Sequence, residues 1–135
     1  MSPEKKKNIL VVEDESPLAF ALQNKLKVAG FNVDHAENGE NAILLASKKD
    51  YDLILLDLMM PRINGFEVLQ YLKKEKKSKA PIIILSNLGQ EEDVQKALKM
   101  GASDFYIKTN TPIFKVVDKV LSYLKKTNKK INSSL

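Results

Sequence analysis

LILLDLMMPRINGFEVL, residues 53–69, sets a carboxylate at the end of an unbroken apolar run and then changes its period. Leu53–Leu56 has strand length and is apolar at every position, as suits a strand covered on both faces of a parallel sheet. Asp57 follows at once, at the edge of that core, where a charge without a partner is costly. Pro61 and Gly65 shape a loop, and Asn64 with Glu67 three residues on has the form of a capping box. Phe66, Leu69 and Leu72 then continue at helical spacing.

The same unit recurs on both sides. Asn8–Val12, Asn32–Asp34, Ile82–Leu85 and Phe105–Ile107 are further short apolar or β-branched segments. Between them lie helical patterns: Leu18, Leu22, Leu26 and Ala29, with Ser16 as N-cap and Pro17 at the first position; Ala42, Leu45 and Ala46 after Asn38-Gly39; and Val94, Ala97 and Leu98, ending at Gly101. Ile113, Val116, Val117, Val120, Leu121 and Leu124 form the last, behind a Thr111-Pro112 start. Five strand–helix pairs in strict alternation predict an α/β three-layer sandwich with a parallel sheet and right-handed crossovers. Ligands of such sheets bind beyond the carboxyl ends of the strands, where the strand order reverses.

Read along that edge, Glu13 and Asp14 follow the first strand, Asp57 the third, Ser86 the fourth and Lys108 the fifth. Converging carboxylates repel one another, so a divalent cation is the natural compensation, and an all-oxygen donor set favours Mg²⁺. The Lys108 ammonium and the Ser86 hydroxyl add donors for a group rich in negative oxygens, as a phosphate is.

At these residues the chain resembles the receiver domain of two-component response regulators. The ordered motifs are Glu13-Asp14 in ILVVEDES, Asp57 in the quoted stretch, Ser86 in IIILSN and Lys108 in GASDFYIK, and the resemblance runs from about Asn8 to Leu124. It implies a flavodoxin-like (βα)5 fold with strand order 2-1-3-4-5. It also implies that Asp57 accepts a phosphoryl group from a sensor histidine kinase or phosphotransfer protein. Asp14, Asp57 and the Met59 backbone carbonyl would bind Mg²⁺ directly, and Glu13 mainly through water. Lys108 would pair with a phosphoryl oxygen, while Ser86 and Phe105, the aromatic three residues before the lysine, would move as a switch. Such a chain is a signalling switch and not a conventional enzyme.

Two departures stand out against this pattern. Thr109 follows Lys108 where a proline after a cis bond is usual, and a cis bond before a non-proline residue costs about 2.5 to 4 kcal/mol, so a trans loop is expected. Met59 and Leu88, two residues beyond Asp57 and Ser86, have no strong hydrogen-bonding group to orient water, which implies slow loss of the phosphoryl group. Taken singly, Glu13 and Asp14 read as exposed acids before a helix, Met59-Met60 and Phe105 as packing residues, and His35 as structural or exposed. Only the joint placement makes a site. A haloacid-dehalogenase-like phosphatase would need a second Asp where Met59 stands. A flavodoxin-like cofactor module would need a phosphate cradle where Glu13-Asp14-Glu15 would repel one. A receiver that is never phosphorylated is disfavoured by the full acidic set and lysine.

At 135 residues, 44% hydrophobic and 29% charged, the chain suits one compact domain. No apolar run approaches the roughly 20 residues that span a bilayer, and Met1–Lys7 is polar and does not read as a secretory signal. Having no cysteine, the chain has no disulfide or thiolate chemistry, and a cytoplasmic location is expected. The net charge of +5 comes largely from lysines in separate groups, 5–7, 73–79 and 125–130, which read as solvated faces and not as a nucleic-acid interface. The expected layout is a polar extension at 1–7, the receiver at 8–125 and a polar tail at 126–135. A stand-alone receiver of this kind would signal to a separate protein effector or through a phosphorylation-linked homodimer.

Overall fold

The computed structural model describes residues 6–133, and side chains as far as residue 125. Residues 1–5 of the expected extension, with 134 and 135, lie outside the described residues. Five strands, β1 (Asn8–Val12), β2 (Asn32–Ala36), β3 (Leu53–Leu56), β4 (Ile82–Ser86) and β5 (Asp104–Ile107), pair in parallel in the order β2-β1-β3-β4-β5. Helices α1 (Ser16–Val28), α2 (Gly39–Lys48), α3 (Gly65–Gln70), α4 (Glu91–Lys99) and α5 (Ile113–Ser133) connect and cover them. The flavodoxin-like order 2-1-3-4-5 is therefore observed.

Successive strand side chains point to opposite faces, and this divides the apolar residues into two cores. Ile9, Val11, Leu53, Leu55, Ile83 and Leu85 pack with Leu22 and Leu26 of α1 and Val116 and Val120 of α5. Leu10, Val12, Ile54, Leu56, Ile82 and Ile84 pack on the other face with Ala42 and Ala46 of α2, Val68 and Leu69 of α3 and Ala97 of α4. Burial on both faces is why these strands are continuously apolar. Among the described residues, no helix is long and apolar enough to cross a membrane.

Several boundaries differ from the expectation. Glu15, and not Ser16, occupies the N-cap of α1, and its carboxylate makes no capping bond because it turns to Lys108 instead. Ser86 is the last residue of β4, not the first beyond it, and β2 extends to Ala36. A π-helical turn, Tyr71–Glu75, follows α3, with the Lys76 N–H donating to the Tyr71 carbonyl. No glycine or proline signals it in advance. The α5 backbone runs on through residue 133, where a tail was expected from 126, since neither proline nor glycine interrupts that stretch. Asn38 and Asn64 cap α2 and α3 by accepting from the backbone N–H groups of Asn41 and Glu67. The described chain has no cis peptide bond, so the Lys108–Thr109 bond is trans, at the start of a 3-10 turn spanning Lys108–Asn110.

The interior position of β4 in the sheet gives a stability test. Ile84 is 0% exposed, so Ile84→Ala should cost about 2–5 kcal/mol in denaturant melts, whereas Phe114→Ser, at a side chain 64% exposed, should stay within about 0.5 kcal/mol.

Candidate functional site

Register between the two central strands brings the acids together. Val12 pairs with Leu56, and the ladder continues one residue further as the Asp57 N–H donates to the Val12 carbonyl at 3.0 Å. Glu13 thus leaves β1 beside Asp57 leaving β3. The Glu13 N–H donates to the Ala36 carbonyl of β2, which anchors the start of the turn into α1. After Asp57 the chain folds back sharply, and a β-carbon at Gly65 would lie 2.2 Å from the Asp57 carbonyl oxygen. Only glycine tolerates that approach.

Carboxylate oxygens of Glu13, Asp14 and Asp57 lie within 4.8 Å of one another. Glu13 and Asp57 are buried and Asp14 is exposed. Lys108, delivered from the end of β5, enters this cluster: its Nζ donates to Asp57 Oδ2 at 2.8 Å, Glu13 Oε2 at 2.9 Å and Glu15 Oε2 at 3.2 Å. The backbone supplies further donors, from Met59 N–H to Asp57 Oδ1 at 3.1 Å and from Glu15 N–H to Glu13 Oε2 at 3.0 Å. Ser86 is fully buried, and its Oγ accepts from the Leu88 N–H at 3.3 Å without bonding to the carboxylates. Phe105 is half-buried and packs on the α2–α4 side of the sheet, while Tyr106 packs on the α1–α5 side.

Burial lifts the Glu13 carboxyl from 4.5 to about 7, against hydrogen bonds from Lys108 and the Glu15 N–H, and the Asp57 charge adds to the rise. Burial pulls the Lys108 ammonium down, but hydrogen bonds to Asp57 and Glu13 outweigh it and hold Lys108 above the usual lysine range. Lys108 bonds three carboxylates, Asp14 lies beside two of them, and together they present an all-oxygen donor set, which suits a hard divalent cation. Glu13, Asp14 and Asp57 are the residues that could hold one.

Two contributors escape a reading of the sequence. Glu15 is visible there only as a third acid in a row, and nothing shows that Lys108 would reach it. His35 has no motif partner, yet its Nε2 lies 2.7 Å from the Glu13 carbonyl oxygen.

The family model for the response regulator receiver domain matches residues 9–116. Among curated proteins, the transcriptional regulatory protein CusR of Escherichia coli K12 is 43% identical over 100 residues, covering 74% of this chain and 44% of CusR. The probable transcriptional regulator ycf27 of Pyropia yezoensis is 41% identical over 107 residues, covering 79% of this chain and 43% of that protein. The chain thus spans about half or less of the length of the curated relatives it matches. Among solved structures, the receiver domain of the Francisella response regulator 1452 superposes with a TM-score of 0.81 at 29% identity, covering 90% of this chain and 99% of that one. The BeF3-activated N-terminal receiver domain of Klebsiella pneumoniae RstA gives 0.78 at 27% identity, covering 87% and 98%.

Glu13 makes one pH-dependent contribution to the stability of the metal-free chain. Because folding raises its value, the stability that Glu13 contributes is complete below about pH 4.5 and is lost as pH rises through about 7. Glu13→Gln should therefore gain on the unsubstituted chain by up to about 3 kcal/mol across that interval in chelator-treated buffer. Parallel stability–pH curves for the two proteins would contradict this.

Proposed function

The chain belongs to the response regulator receiver family, and from that premise we propose that it accepts a phosphoryl group on Asp57 and alters its protein-binding surface in response. Receivers of two-component regulators are signalling switches and not conventional enzymes. The observation that carries the assignment is a buried Asp57 bonded to Lys108 at 2.8 Å within a cluster of carboxylates.

Phosphoryl transfer needs positioning and charge neutralisation more than covalent help from the protein. Asp57 attacks the phosphorus of a phosphohistidine on a histidine kinase or phosphotransfer protein. An O–P bond forms as the P–N bond breaks, and the departing imidazole keeps the electron pair and takes a proton from water. Glu13, Asp14, Asp57 and the Met59 carbonyl are the groups proposed to hold Mg²⁺, which when bound neutralises charge on the transferring phosphoryl oxygens. Lys108 leaves Asp57 Oδ2 for a phosphoryl oxygen. Ser86 donates its hydroxyl to another, and Phe105 turns with it, which changes the surface of α4, β5 and α5.

Output then passes by protein contact, to a separate effector or between phosphorylated copies. A cytoplasmic setting without direct nucleic-acid or membrane binding fits this reading. Met59, 53% exposed, and Leu88, half-buried, offer no side-chain group to orient a hydrolytic water. A long-lived phosphoaspartate follows from that.

Incubation with acetyl phosphate and Mg²⁺ should add the mass of one phosphoryl group to the unsubstituted chain and none to Asp57→Asn; equal labelling of the two would remove Asp57 as acceptor. Once the donor is removed, the label should decay over minutes or longer at neutral pH, and decay within seconds would contradict the role given to Met59 and Leu88.

A further inference from the structure

We infer that His35 is a positioning residue for the acidic site, acting through the backbone of Glu13. The inference rests on the reading of Glu13, Asp14 and Asp57 as the cation-holding set. β2 is an edge strand, and its pairing with β1 places His35 opposite Val11 and Ala36 opposite Val12, the last two residues of β1 before the acids. Two bonds from β2 then grip one residue. The Ala36 carbonyl accepts the Glu13 N–H at 3.0 Å, and His35 Nε2 lies 2.7 Å from the Glu13 carbonyl oxygen. A carbonyl can only accept, so Nε2 carries the hydrogen and the imidazole is the donor.

Glu13 is therefore held at both of its main-chain polar groups by neighbours on one strand. Its side chain is separately fixed by Lys108 and the Glu15 N–H. Asp14, the exposed member of the carboxylate set, hangs from the next peptide unit and makes no hydrogen bond of its own among the described residues. What orients it is the backbone that His35 and Ala36 clamp. Groups that orient metal ligands without touching the ion typically change affinity by about 10- to 100-fold when removed. His35 has the geometry for that role at one remove, through the peptide between Glu13 and Asp14.

Calorimetric titration with Mg²⁺ well below the melting temperature tests this on the full chain. His35→Leu should weaken Mg²⁺ binding about tenfold. His35→Gln, which places an amide N–H near the Nε2 position, should recover affinity to within about twofold. A merely structural histidine would lower the melting temperature and leave the affinity unmoved, so unchanged binding by His35→Leu would overturn the inference. Equal weakening by both variants would also overturn it, since ring packing and not donation would then be at work. Absence of Mg²⁺ binding by the unsubstituted chain would instead overturn the cation site itself. Should His35→Leu fail to fold, nitrogen chemical shifts of the unsubstituted chain at alkaline pH decide the matter, where the neutral ring must be protonated at Nε2; an Nδ1–H tautomer would sink the proposal.

Discussion

One ammonium group holds the carboxyl edge of the sheet together. Lys108 bonds to Asp57 and Glu13, 51 and 95 residues away in the chain, and reaches Glu15 as well. Two buried carboxylates beside each other are unstable in isolation, and removing the cation from a buried pair of charges typically costs about 3–5 kcal/mol. The ends of β1, β3 and β5 are thus tied at a point where repulsion between their acids would otherwise push them apart. Burial nevertheless holds the Glu13 carboxyl above its ordinary range, at about 7, against the hydrogen bond from this cation.

That tie is also the part the proposed switch would act on. Lys108 occupies Asp57 Oδ2, so on the proposed reading a phosphoryl group carried on that oxygen would require Lys108 to move. Ser86 is one strand away, buried and engaged only with Leu88, and Phe105 is half-buried on the neighbouring strand. On the proposed reading, displacement of that single ammonium would be felt at Ser86 of β4 and Phe105 of β5. Parallel sheets buried on both faces have little freedom in their strands, and loops at the carboxyl edge are where discrete rearrangement is available.

Much of this was legible in the amino-acid order, for identifiable physical reasons. Strands buried on both faces must be apolar throughout, so Leu53–Leu56 and Ile82–Leu85 announce themselves, and the residues just past them fall at the ligand-binding edge by topology alone. Asp57, Glu13, Asp14 and Lys108 were found in that way, and the structure brings them within bonding or ligand distance. What was not legible depends on direction in space. Glu15 reads as a flanking acid before a Ser16 cap, but it is itself the N-cap residue and its carboxylate turns to Lys108. His35 lies on a different strand from its acceptor, and a contact from a side chain to a distant carbonyl leaves no trace in spacing. The π-helical turn after α3 and the continuation of α5 carry no punctuating residue, and Gly65 reads as a loop former until its contact with the Asp57 carbonyl is seen.

The most direct measurement is a crystal structure of the chain grown with magnesium and beryllium fluoride. The expected result is fluoroberyllate on Asp57, a metal ion beside Asp14, and Lys108 moved from Asp57 Oδ2 onto a fluorine. An acidic cluster left as it is, with Lys108 still bridging Asp57 and Glu13 and nothing bound to Asp57, would contradict the claim that this tie is the part that switches.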